Sequence, residues 1–171
     1  GAPRIGRVGD RRFVAVLDPK GEYRRLADAL AIPTVRLYPG GPDRLNPMDP
    51  GPGEETGDAV GRQALATALV EGVLGRRLDP IEDAVLGWAV QHLATSGRPF
   101  TIVDVAAAVG APGEEVARLA QRSPLELGQA AAPVVFALDK LCTRTLRGMF
   151  DGPTTVKLDW ECGAGLVVDL A

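Results

Sequence analysis

The stretch Phe13–Tyr23 reads FVAVLDPKGEY. Its apolar residues Phe13, Val14, Val16 and Leu17 predict a strand over 12–17 buried on both faces, because strands covered on both sides read as continuous hydrophobic runs. Pro19 and Gly21 then break the chain, and EYRRLADALA places Tyr23, Leu26, Ala27 and Leu30 at helical spacing. TVRLY at 34–38 follows as a second strand. A β-α-β opening predicts a parallel sheet. Ligands of open α/β sheets bind beyond the carboxyl ends of the strands, so Asp18, Lys20, Gly21 and Glu22 sit where a ligand is expected.

These residues have a second reading as plain turn chemistry. Asp-Pro opens a turn, Gly21 supplies a left-handed conformation, and Glu22 favours the N-terminus of the next helix. From Pro39 to Gly53 the chain is too rich in Pro and Gly for regular structure, and within it RLNPMDP predicts a stiff strap in which Asn46 hydrogen-bonds a turn.

Beyond the strap the periodicity becomes helical. Leu65, Leu69, Val70, Val73 and Leu74 form one stripe. Ile81, Val85, Trp88 and His92 form another, led by an Asp79 N-cap with Pro80 in the first helical position. His92 is expected as a partly buried packing residue. FTIVDVAAAVG and PGEEVARLAQR predict two shorter helices around Gly110-Ala111-Pro112, and a last helix runs from about Pro133 to Gly148 with Cys142 on its inner face. TTVKLDW at 154–160 and GLVVDLA at 165–171 predict a terminal strand pair, either a hairpin or adjacent strands, after a bend at Asp151-Gly152-Pro153. Three regions follow: a β-α-β segment at 1–53, an α-helical insertion at 54–150 and return strands at 151–171.

Composition narrows the function classes. The 171 residues are 46% hydrophobic and 24% charged, ordinary globular values. The net charge of −3 argues against a dedicated nucleic-acid-binding domain, although sixteen of the nineteen cations are Arg and four of them precede the first strand. One His and two Cys without ligand spacing leave no metal centre and no His-dependent triad to expect, and Cys162 lies in a WECG turn without an activating neighbour. No apolar run approaches the roughly 20 residues of a membrane span. Absence of a signal peptide and of an initiating Met suggests a cytoplasmic piece of a larger protein.

DPKGEY, then RLNPMDP, then a helical block, then MFDGPTTVKLDW and GLVVDLA resemble in order the conjugative-transfer and type IV secretion branch of the FtsK–HerA superfamily of P-loop ATPases, and most of all actinobacterial conjugation-element ATPases. The resemblance implies an α/β fragment of a P-loop ATPase with a mainly α-helical insertion, placed against the inner face of the membrane through its partners. In such a parent, ATP and Mg are cofactors and the ring is a homo-hexamer. Neighbouring subunits, secretion or conjugation components and DNA are then its partners. Asp18 and Glu22 would orient the attacking water or the magnesium shell, and Lys20 and Gly21 would lie against the nucleotide.

No GxxxxGK[ST] segment surrounds Lys20, Lys140 or Lys157, and no apolar strand ends in Asp-Glu. The resemblance places the Walker A motif before residue 1 and the Walker B strand after residue 171. The chain alone is therefore expected not to hydrolyse ATP and to act as an interaction module. The competing reading is a non-enzymatic helix-turn-helix-like DNA-binding or protein-interaction domain built on residues 101–122, which Glu114 and Glu115 at the start of the second helix disfavour.

Overall fold

The computed structural model describes residues 14–50, 59–157 and 165–171. Strand β1 (Val14–Asp18) leads through helix α1 (Arg24–Ala29) to strand β2 (Thr34–Arg36), and strand β3 (Gly165–Asp169) enters from the far end of the chain. β3 lies between the other two and runs parallel to both, giving the order β1-β3-β2. The parallel sheet expected from the β-α-β opening is present, with the C-terminal strand as its centre. Gly165 is required where β3 begins, since a Cβ there would collide with the carbonyl oxygen of Val14 on β1.

Two sequence expectations change here. β1 is an edge strand and is not buried on both faces: Val14 is 52% exposed and Leu17 66% exposed, because β1 has one strand neighbour among the described residues. The terminal strand pair also fails in its described part. Thr154–Lys157 is irregular backbone, and residues 158–160 lie outside the described residues. The Thr154 and Thr155 hydroxyls accept instead from the backbone N–H groups of Asn46 (2.8 Å) and Arg44 (2.9 Å), so this segment is bound to the strap and not to β3.

Between β2 and β3 the described residues form six α-helices: α2 (Val60–Leu74), α3 (Pro80–Thr95), α4 (Ile102–Gly110), α5 (Glu114–Leu119), α6 (Pro124–Ala130) and α7 (Ala132–Lys140). α7 continues into a π-helical turn, Leu141–Thr145. Local chemistry explains the starts. Asp79 accepts from the N–H groups of Ile81 and Glu82 while Glu82 reaches back to the Asp79 N–H, the expected cap completed as a capping box. Ser123 and Glu126 repeat that box at α6, a helix the sequence reading passed over. α2 ends at Gly75, whose φ of 67° is the left-handed conformation that closes many helices.

The helices enclose one hydrophobic cluster that includes Val70, Leu86, Val90, Phe100, Val105, Leu127 and Leu138. A second, smaller cluster of Val35, Leu37, Met149 and Leu166 lies against the sheet. Leu146 and Phe150 pack against both, so the chain leaving the π-helical turn joins the two cores. The strap joins them too, since Met48 is buried in the helical cluster while Leu45 packs on the sheet cluster.

Candidate functional site

Asp18 ends β1, and its register partner across the parallel ladder is Asp169 at the end of β3. Both side chains are buried, at 2% and 1% exposure. Two carboxylates taken out of water side by side repel each other and lose hydration, so each needs donors. Asp18 draws its donors from the loop that follows it. Oδ2 accepts from the Tyr23 N–H at 2.9 Å, and Oδ1 accepts from the N–H groups of Lys20 and Glu22, each at 3.2 Å. These bonds, led by that of Tyr23, hold its pKa below the usual 3.8. Asp169 takes the Arg24 guanidinium on Oδ2 at 2.9 Å and the Ala171 N–H on Oδ1 at 3.0 Å, and Arg24 is the main reason that its pKa is lowered as well.

The consequence is a small, tightly wound loop at the carboxyl edge of the sheet. Gly21 adopts φ +69° within it, and a Cβ at that position would lie 3.5 Å from Ala171 Cβ and 3.7 Å from Asp169 Oδ1. With the loop wound inward on Asp18, the side chains of Lys20 and Glu22 are exposed, and no described residue holds the Lys20 ammonium or the Glu22 carboxylate. The four residues singled out in the sequence are thus brought together, in two kinds of environment. Asp18 and Gly21 shape the loop; Lys20 and Glu22 are presented by it.

Arg24 and Asp169 complete the arrangement and were missed in the sequence reading. A signal existed: VAVLD and GLVVD are both apolar runs ending in Asp, and aligning their ends puts the two carboxylates at one edge of the sheet. Arg24 and Arg36 also line a polar cavity of about 440 Å³ with Asp28, Ile32, Pro33 and Thr34, on the α1–β2 side of this edge.

The fold resembles that of VirB4. The solved structure is that of VirB4 of Thermoanaerobacter pseudethanolicus, matched with a TM-score of 0.54 at 17% sequence identity over 91% of this chain and 59% of that one. The likeness is one of fold, and this chain spans about three fifths of that structure's length. No family model and no curated protein matches the sequence.

Asn46 does hydrogen-bond its own turn: Oδ1 accepts from the Met48 N–H at 3.1 Å, and Nδ2 donates to Asp49 Oδ1 and to the Phe100 carbonyl, both at 2.8 Å. Asp49 Oδ2 in turn accepts from the Thr154 hydroxyl at 2.5 Å. Cys142 is buried, and burial pushes its thiol up to about 11. His92 is exposed and stacks on Trp88 with ring centroids 5.0 Å apart, a correction to its expected burial, since the buried stripe of α3 runs through Leu86, Ala89, Val90 and Ala94 and leaves His92 off it.

The helix pair of the competing reading exists as α4 and α5. α5 offers solvent Glu114, Glu115, Arg118 and Leu119, and Arg118 Nε donates to the Glu114 carbonyl of its own helix. Cys162 lies outside the described residues. Among the described residues there is no cluster of His, Cys, Asp or Glu able to hold a metal ion, and no helix is long and apolar enough to cross a membrane.

Proposed function

We propose that this chain is the middle part of a cytoplasmic motor ATPase of the type IV secretion or conjugation kind, in which the Asp18–Tyr23 loop faces the nucleotide phosphates. The observation that carries the reading is the loop itself: a parallel sheet ends in a turn that directs Lys20 and Glu22 to solvent at its carboxyl edge, where ligands of such sheets bind. The VirB4-like fold and the ordered motifs DPKGEY and RLNPMDP support it.

The two acids have different tasks in this reading. Asp18, with both oxygens engaged by backbone donors, is a positioning residue. Glu22 is the carboxylate free to orient the attacking water or the magnesium shell, and Lys20 is the cation free to meet phosphate. ATP, Mg, a homo-hexameric ring and secretion or conjugation components belong to the complete motor. The helical block serves contacts with neighbouring subunits or partner proteins, and the chain alone does not turn ATP over.

The test is ATP hydrolysis by the product of the complete reading frame, beside the 171-residue chain and a Glu22→Gln variant. Turnover in the complete product, none in the chain and a loss of about a hundredfold or more in Glu22→Gln is expected, the range usual for a positioned acid–base group. Full activity in Glu22→Gln would return the loop to plain turn chemistry.

A further inference from the structure

The helical block carries an apolar groove that its own hydrophobic cluster does not fill. α3 forms one wall with Ile81, Ala84 and Trp88, α5 forms the other with Val116 and Leu119, and Leu127 of α6 closes the floor of a half-open cavity of about 370 Å³. The Trp88 wall is fixed from behind: a Cβ on Gly113 would stand 2.9 Å from Trp88 Cζ2, so the indole lies directly against the turn that joins α4 to α5. Leu119, which lines the cavity, is 81% exposed, and Leu125 of the neighbouring α6 is 71% exposed. Leucines left in water at an unfilled apolar cavity mark an interaction surface.

The chemistry of the groove selects its occupant. Among the described residues that line it, the indole N–H of Trp88 is the one side-chain polar group, too little to orient a metabolite, whose sites combine several placed donors and acceptors. An apolar trough between two helices suits a third helix laid along it, with bulky apolar residues at every third or fourth position. Charge decides which kind of helix. The exposed charged residues that adjoin the lining in sequence are Asp79, Asp83, Glu115 and Glu126, against Arg118 alone, and Arg118 Nε is turned onto the Glu114 carbonyl of its own helix. One position farther out, Glu114 and Arg122 offset each other. An acidic border repels nucleic acid, an anionic membrane and a second copy of the same face, and it attracts a cationic helix.

We infer that the groove between α3 and α5 is the docking site for a basic amphipathic helix of a separate protein, whose apolar residues enter the cavity over Trp88 and whose Lys or Arg residues meet Asp83, Glu115 and Glu126. This rests on the part of the proposal above in which the helical block serves contacts with partner proteins. The seat is built before the partner arrives, since Val85 and Leu127 beneath it are each 1% exposed and belong to the helical cluster. Docking and nucleotide chemistry use separate residues: the groove belongs to α3, α5 and α6, and the Asp18–Tyr23 loop belongs to the sheet.

The test uses two synthetic amphipathic helices of about 18 residues, beyond the length at which isolated helices are marginal, one of Leu and Lys and one of Leu and Glu with the same spacing. Binding to the 171-residue chain and to the product of the complete reading frame is read from the anisotropy of a labelled helix, with sedimentation and ATP turnover measured on the same samples. In the 171-residue chain carrying Trp160→Phe, Trp88 is the remaining Trp and its emission reports the groove. The Leu/Lys helix is expected to bind both proteins and to move Trp88 emission to shorter wavelength, and the Leu/Glu helix to bind neither. Leu119→Ser should weaken the Leu/Lys helix by about tenfold or more with the melting temperature unchanged, and Asp83→Lys with Glu115→Lys should do the same with helicity retained by circular dichroism. Equal binding of the two helices, or Leu/Lys binding that leaves Trp88 emission unmoved, overturns the inference. A 171-residue chain that dimerises through Leu119 overturns it in favour of a second copy, and Leu/Lys binding that is lost in the complete product overturns it in favour of a segment of the same polypeptide. Absence of binding to either protein, with a complete product that hydrolyses ATP, would sink this inference alone; binding to a complete product without turnover would sink the motor reading alone.

Discussion

Replacing Asn46 with Ala tests whether the strap fastens the helical block to the sheet. The side chain is 4% exposed and meets three groups: it accepts from the Met48 N–H, and it donates to the Phe100 carbonyl and to Asp49 Oδ1. Asp49 keeps the Thr154 hydroxyl in the variant. The Met48 N–H and the Phe100 carbonyl lose their partner in a buried setting, at about 1–3 kcal/mol each. Water entering the vacated space offsets part of this, which leaves a net loss of about 2–4 kcal/mol. In a chain of 171 residues each kcal/mol moves the melting temperature by about 2–4 °C, so Asn46→Ala is expected to melt roughly 5–15 °C lower by circular dichroism or calorimetry. Asn46→Asp is a useful companion. It retains an acceptor for Met48 but aims a carboxylate at the Phe100 carbonyl and at Asp49, so it should melt at least as low as the Ala variant. A melting temperature within 2 °C of the parent for Asn46→Ala would show that the Asn46 hydrogen bonds do not fasten the strap, with the attachment carried by the apolar contacts of Leu45, Met48, Leu146 and Phe150.

Other outcomes are expected on the same footing. Asp79→Ala removes the cap of α3 and should cost about 1 kcal/mol in urea unfolding, while Asp79→Ser should restore most of it. In a Cys162→Ser background, Cys142 should react with a disulfide reagent at pH 8 only on unfolding, since burial raises its thiol to about 11; rapid labelling of the folded chain would contradict its placement. Gly128→Ala should destabilise by about 1–3 kcal/mol, because a Cβ there would lie 2.8 Å from the Gly110 carbonyl oxygen and 3.2 Å from Pro112 Cδ. The acid side of the stability profile should report Asp18, Asp169 and Glu82. Each has its folded-state pKa lowered, so each contributes stability that is complete above the usual carboxylate values of 3.8 and 4.5 and is lost as pH falls through the lowered values. Glu82→Gln should flatten that loss in urea midpoints measured between pH 5 and pH 2, and an unchanged slope would remove the Arg76–Glu82 pair from the account.

Local chemistry was legible in the sequence wherever a few neighbouring residues settle it. The Asp79-Pro80 start of α3, the Asn46 turn and the extended run before Asp18 depend on side chains within a few positions of one another. Pairing depends on distant segments and was read less well. Nothing between Phe13 and Tyr38 says that β3, well over a hundred residues later, will enter between β1 and β2 and leave β1 at the edge. An apolar run reads alike whether its second neighbour is present or not, which is why Val14 and Leu17 were expected to be buried. TTVKLDW has the β-branched residues of a strand, but its two Thr hydroxyls satisfy the strap's N–H groups and a ladder is lost to side-chain bonding. The burial of Asp169 could be read only after the two strands were set in register.

In the reading proposed above, the division of work within DPKGEY follows from burial and hydrogen bonding. A carboxylate that orients a water molecule or a magnesium shell must be open to it, and Asp18 is buried with three of its roughly four lone pairs taken, on Oδ2 by Tyr23 and on Oδ1 by Lys20 and Glu22. An Asn in its place would keep one acceptor but turn an NH₂ group toward backbone donors, so the loop requires the carboxylate as an acceptor on both sides. The same winding frees the side chains that alternate with it. The backbone N–H groups of Lys20 and Glu22 turn inward to Asp18 while their side chains are exposed at the strand end, where Gly21 at φ +69° lets the chain pass close to Asp169 and Ala171. In the motor proposed above, Asp18→Asn and Glu22→Gln therefore separate form from chemistry. The first should loosen the loop and weaken nucleotide binding together with turnover, whereas the second should leave binding intact and lower turnover alone. Equal effects of both variants on binding would show that Glu22, like Asp18, serves the turn.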